Sequence, residues 1–179
     1  MKNALFAITI GFMLLAAGCA SSIVPPDLQN EVKRDLGLSQ VKSNPGAHKD
    51  QVVLWGGRII KTINKKKGTL IEVLQLPLDQ QERPKQVHDT QGRFIVSMTG
   101  FLDPEVYQAG KEVTVVGRVA GVEELPLGEI TYTYVLLRGK EVYLWPQRQP
   151  AENYPPYPPV YFYYGVGPGY WYNAPYMWW

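Results

Sequence analysis

One cysteine stands in 179 residues, at position 19, so the chain can close no disulfide within itself. Its core must hold without cross-links. Histidine is almost as scarce, and neither His48 nor His88 has a cysteine or second histidine at the spacing that closes a zinc site. Both read as surface residues in loops, and no metal or other cofactor is expected. Charge of one sign is missing too: 18 Lys and Arg against 16 Asp and Glu leave a formal balance of +2. That gives no bulk attraction to nucleic acid or anionic lipid. There is no phosphate-cradling glycine loop, and Ser21, Ser22, Ser39, Ser43 and Ser97 have no nucleophile-elbow context. The tightest carboxylate groups are Glu123-Glu124 and Asp103 with Glu105. Adjacent strand residues point to opposite faces, and Asp103 suits a helix cap, so neither group reads as an acid-base pair or calcium site. No enzyme is expected.

The chain also lacks an apolar run of comfortable membrane-spanning length. Ala4 to Ala20 is 17 residues, the lower edge for a bilayer helix, and the next charge beyond it is Asp27. What stands there instead has the pattern of a signal peptide: Lys2, then apolar residues to Ala17 interrupted by Thr9 and Gly11, then small residues at a cleavage point. Leu14-Leu15-Ala16-Ala17-Gly18-Cys19 resembles a bacterial lipobox, departing at Ala16, where that motif usually has Leu. The resemblance implies removal of residues 1–18 and attachment of diacylglycerol and an N-acyl chain to Cys19; the alternative is a buried or free exported thiol. One acyl chain binds a membrane marginally, whereas several anchor stably. By the sorting pattern of such lipoproteins, Ala20 rather than Asp after the cysteine implies the outer membrane.

Removal of residues 1–18 leaves 161 residues with a formal charge of +1, enough for one domain with a tether at each end. Residues 19–49 read as the N-terminal tether. Ser21, Ser22, Pro25 and Pro26 suit a spacer, after which Asp27 is placed to cap a short helix carrying Leu28, Val32 and Leu36, with Gly37 to stop it. That stripe packs on the domain body or meets a membrane or partner.

Residues 50–147 carry the β signature. Strands are expected over Val52 to Ile63, Thr69 to Leu76, Gly92 to Thr99, Val113 to Val122, Ile130 to Leu137 and Glu141 to Trp145. Val52-Val53-Leu54-Trp55 is apolar on both faces, which implies cover on each side. Gly56-Gly57 reads as a bulge or sharp bend. Asp103-Pro104 opens an expected short helix ending near Gly110. A long bent strand, hairpin, third strand, helix and further strands is the order of a small OB-fold-like Greek-key barrel, all-β, with a sandwich as the competing architecture. The Lys65-Lys66-Lys67 run reads as a solvated hairpin tip. Contact with nucleic acid is not expected of an exported chain, and contact with lipopolysaccharide phosphates is the lesser alternative.

Residues 148–179 form an irregular tail. From Gln149 onward it holds 12 of the 22 aromatic residues and 7 of the 15 prolines, with Glu152 its one charge. Tyr and Trp favour membrane interfaces, where the ring is apolar and its polar tip wet. Tyr161, Phe162, Tyr163 and Tyr164, then Tyr170, Trp171 and Tyr172, then Trp178 and Trp179 are therefore candidates for contact with outer-membrane lipid or another envelope protein. Self-packing on an open edge of the barrel is the alternative.

Several short motifs in fixed order resemble the Slp family of outer-membrane lipoproteins. They are Ser43-Asn44-Pro45-Gly46, Trp55-Gly56-Gly57-Arg58-Ile59-Ile60, Leu76-Pro77-Leu78, Gly92-Arg93-Phe94, Gly100-Phe101-Leu102-Asp103-Pro104 and Val142-Tyr143-Leu144-Trp145. The resemblance implies outer-membrane attachment and a link to starvation or stress. It supplies no reaction. The expected protein is a structural or interaction component of the envelope, and the alternative is a binding module for a glycan, peptide or small solute.

Overall fold

The computed structural model describes residues 22–148. The chain divides into one compact unit that ends at Gln147 and a second unit of residues 148–179. In the described part, a 3-10 turn at Pro26–Leu28 is followed by β1 (Val32–Lys33) and α1 (Leu38–Ser43). The five long strands are β2 (Val52–Lys65), β3 (Gly68–Leu76), β4 (Arg93–Met98), β5 (Glu112–Leu127) and β6 (Ile130–Leu144). Those five pair in the order β2-β3-β4-β6-β5, and β5 pairs back onto β2 to close a barrel. Only β4 and β6 run parallel within it. First, second, third, fifth, fourth is the Greek-key order expected of an OB-fold-like barrel, and it leaves no sandwich.

Alternation along the strands builds two apolar layers. Val53, Trp55, Ile71, Val73, Phe94, Val96, Val115, Val135 and Leu137 face inward and are buried. Trp55 and Phe94 meet edge to face at 5.4 Å between ring centroids. Val52, Leu54 and Val116 point outward and are buried as well, because Val24, Leu28 and Val32 lie over them. The double-faced apolar run in β2 is thus covered on both sides, one cover being the chain's own N-terminal segment.

That segment differs from the expected helix. Residues Leu28 and Val32 are buried as a packed stripe would be, yet Val32 sits in an extended strand paired in parallel with Val52. The cause lies in β2: β3 reaches along its edge only as far as Gly56, so the edge at Val52 and Val53 is open, and β1 takes it. Gly37 then begins a helix instead of ending one. It is extended at φ −79° and ψ 158°, and its amide donates to Gln40 Oε1 at 2.8 Å. Leu38 and Val41 drive α1 into the main core.

The helix expected after Asp103 is a single turn. Tyr107 N donates to Asp103 O at 2.9 Å and Asp103 Oδ1 accepts from Glu105 N at 2.9 Å, so Asp103 caps as expected. The turn stops there because Thr62 Oγ1 donates to the Tyr107 carbonyl at 2.7 Å and Gly110 already donates to Ile59 O in the ladder. Two further corrections concern strands. The register shift in β2 falls between Ile59 and Lys61, not at Gly56-Gly57. Ile130 to Leu144 is one continuous strand, since β5 and β6 pair along its whole length and absorb the irregularities as one extra residue in each, Ala120 in β5 and Lys140 in β6.

Candidate functional site

A groove of about 540 Å³ opens on the outer face of β2, β3, β4 and β6, with the β5–β6 hairpin as its far wall. Outward alternation on each strand brings Ile63, Leu70, Ile95 and Leu136 to its floor, and Leu125 closes the hairpin side. All five are half-buried. Here the barrel exterior is apolar without the cover that the N-terminal segment gives Val52, Leu54 and Val116. Lys61 and Lys65 flank Ile63 on the same face of β2, and neither makes an ion pair among the described residues. Arg138 on β6 also lines the groove and pairs with Asp50 at 2.6 Å.

Beside this floor, on the same outer face, lies a polar cluster that joins three strands, and its Glu72 and Tyr134 line the groove. Arg93 Nη1 donates to Glu72 Oε1 at 2.8 Å, and the Tyr134 hydroxyl donates to the same oxygen at 3.1 Å. Tyr132 packs edge to face on Tyr134, with ring centroids 4.9 Å apart, and its hydroxyl accepts the Arg93 amide at 3.0 Å. Gly92 permits that approach: at φ +115° it takes a conformation L side chains rarely adopt, and a Cβ there would meet the Tyr132 hydroxyl. The Tyr134 phenol is pushed above its ordinary value by burial first and by its hydrogen bond to Glu72 second. The Arg93 guanidinium is also raised, chiefly by its hydrogen bond to Glu72 and against the opposing effect of burial. Both shifts favour the protonated forms, which suits a structural cluster better than a general base.

Cys19 and the aromatic candidates Tyr161, Phe162, Tyr163, Tyr164, Tyr170, Trp171, Tyr172, Trp178 and Trp179 lie outside the described residues. Of the side chains weighed from sequence, His48 rests against Gln51 at 3.4 Å, His88 is exposed, and Lys65 to Lys67 form an exposed hairpin tip. Glu123 lines the groove wall. The groove itself was not foreseen. Its signal was present in Ile63, Leu70, Ile95 and Leu136, apolar residues at positions opposite the inward set, but recognising their common face requires the strand register.

Residues 16–178 match the model of a family described as outer membrane lipoprotein Slp family. Outer membrane protein Slp of Escherichia coli (strain K12) is 29% identical over 145 residues, covering 80% of this chain and 76% of that one. The uncharacterized lipoprotein YeaY of the same strain is 30% identical over 181 residues, covering 96% and 92%. An uncharacterized protein of Haemophilus influenzae is 30% identical over 140 residues, covering 77% of this chain and 76% of its own. The chain therefore belongs to the outer membrane lipoprotein Slp family, and it is a lipid-anchored protein of the outer membrane.

Proposed function

We propose that this lipoprotein is a binding module of the envelope that works without catalysis, tethered through diacylglycerol and an N-acyl chain on Cys19 and presenting the groove between Lys61 and Leu136. The observation that carries this reading is the uncovered apolar floor. Burying about 25 cal/mol for each Å² of such surface favours an occupant, and the volume lies in the range of small-ligand sites. The polar chemistry nearby supports binding over turnover. Glu72 is engaged by Arg93 and Tyr134. Outer-membrane lipid, lipopolysaccharide and envelope proteins are the partners within reach of an anchored domain, and starvation or stress is the physiological setting the family resemblance implies.

The test uses the mature chain from residue 19 with Cys19→Ala, titrated with lipids, peptidoglycan fragments and lipopolysaccharide fragments while the methyl signals of Ile95 and Leu136 are followed by NMR. Saturable shifts with at least one class are expected, and flat titrations with all of them would sink the reading. The anchor is tested separately by mass spectrometry of the N-terminal peptide from membranes. Free, unmodified Cys19 there would remove the lipid attachment.

A further inference from the structure

We propose that the groove holds the acyl chain of a lipid with one chain and one anionic head, the head set against Lys61 and Lys65. This rests on the binding reading above and narrows it to one ligand class.

Three features of the groove select that class. The first is the floor: Ile63, Leu70, Ile95, Leu125 and Leu136 line a continuous apolar track across four strands and the hairpin wall. Neighbouring strands lie about 4.8 Å apart, so the track from β2 to β6 runs about 14 Å, a length suited to an extended hydrocarbon chain.

The second is that the polar groups at the middle of the track are already engaged with one another. Glu72 Oε1 accepts from both Arg93 and Tyr134, and Ser97 is the small hydroxyl at the edge. A glycan or a nucleotide base would have to compete with Arg93 and Tyr134 for Glu72, whereas a hydrocarbon chain needs no donor or acceptor.

The third is charge. Lys61, Ile63 and Lys65 share one face of β2, so an ammonium stands on each side of the apolar residue at one end of the track, with no carboxylate paired to either. Glu72 lies opposite Lys61 in the β2–β3 register but is engaged by Arg93 and Tyr134, while at the far end Glu123 stands on the hairpin wall and Arg138 is paired with Asp50. The two unpaired ammonium groups therefore draw an anionic head to the β2 end, so the ligand has a direction.

The experiment titrates the mature Cys19→Ala chain with palmitate, with lysophosphatidylglycerol and with the uncharged amphiphile dodecyl maltoside, each below its micelle concentration, following Ile95 and Leu136 methyl signals and calorimetric heats. Palmitate separates a carboxylate head from the phosphate of the lysolipid. Expected is one-to-one binding of at least one anionic lipid with shifts at both methyls, weakened about tenfold by Lys61→Glu with Lys65→Glu, a loss of about 1.4 kcal/mol. Both lysines are exposed, so the double variant is expected to fold as the parent does. Binding of dodecyl maltoside is weaker and does not respond to the double variant.

Four results overturn the proposal. They are no saturable lipid binding, equal affinity in the double variant, unmoved Ile95 and Leu136 methyls, and association with phosphatidylglycerol vesicles without one-to-one binding of either palmitate or the lysolipid. If muropeptides or lipopolysaccharide sugars move those methyls and lipids do not, the ligand class is wrong while the binding reading stands. If nothing moves them, both fall.

Discussion

Ile23 donates its amide hydrogen to Glu82 Oε2 at 2.9 Å, joining the start of the described chain to the loop between β3 and β4. The same carboxylate accepts from the Ser22 hydroxyl at 3.1 Å and from Arg34 Nη2 at 2.7 Å. Glu82 is held for this role. Its backbone sits at φ 63°, Asp79 Oδ1 accepts the amides on either side of it, from Gln81 and Arg83, and Thr114 donates to its carbonyl at 2.6 Å.

Replacing Glu82 with Ala therefore frees the N-terminal segment before it harms the barrel. The charge-assisted bonds are partly exposed at Arg34, which reduces their worth, and the expected loss is about 1–2 kcal/mol in denaturant unfolding. Hydrogen exchange at the Ile23 amide should quicken well beyond that at Val115 in the core. Equal protection of Ile23 in both proteins would show that the segment is held by Val24 and Leu28 packing alone.

Gly57 and Gly56 predict different costs for the same methyl group. A Cβ on Gly57 would run into the Leu74 carbonyl of the neighbouring strand, whereas on Gly56 it would first meet the end of the Leu78 side chain. Backbone cannot rotate aside, and a leucine methyl can. Gly57→Ala is expected to cost about 3 kcal/mol, against roughly half that for Gly56→Ala. Thermal melts of the two variants decide it, and equal midpoints would contradict the contact.

Trp55 ties the N-terminal cover to the inner core: its indole Nε1 donates to the Leu36 carbonyl at 2.7 Å while its ring packs on Phe94. In Trp55→Phe much of the apolar contact survives and the carbonyl loses its donor. The expected loss is about 1–3 kcal/mol, accompanied by faster proteolysis between β1 and α1. Unchanged proteolysis would mean that Leu38 and Val41 hold this stretch unaided.

Which parts were readable in advance follows from which forces are local. Alternation in Phe94 to Met98 reports burial directly, and Val113 to Val119 alternates in sequence although both its faces are buried from Val113 to Gly117, so the strands and their Greek-key sequence were visible. Asp103 was recognisable as a cap because its carboxylate acts two residues away. The segment from Asp27 to Gly37 misled because a spacing of four serves a helix, yet the open edge of β2 at Val52 rewards an extended Val32 instead. Only the pairing of β2 with β3 reveals that edge. The groove was hidden for the same reason, since Ile63, Leu70, Ile95 and Leu136 come from four strands and meet only once the register is fixed. Glu72, Arg93 and Tyr134 lie far apart in sequence and form no motif.

Tyr134 gives the protein an alkaline limit. Its phenol is held above the ordinary value of 10.0, by burial first and then by the hydrogen bond to Glu72, with Arg93 opposing. As pH rises, the unfolded chain releases this proton before the folded chain does, so the unfolded state gains. The contribution is whole below about pH 10 and is lost as pH climbs through the folded value. Tyr134→Phe gives up the bond to Glu72, about 1 kcal/mol at neutral pH, but also removes a group that must ionise. The variant should melt lower than the parent at pH 7 and fall less steeply from pH 10 upward, so the gap between the two curves narrows. Parallel curves across that range would show that Tyr134 ionises alike in both states, and the Glu72 cluster would then be a packing feature without influence on pH.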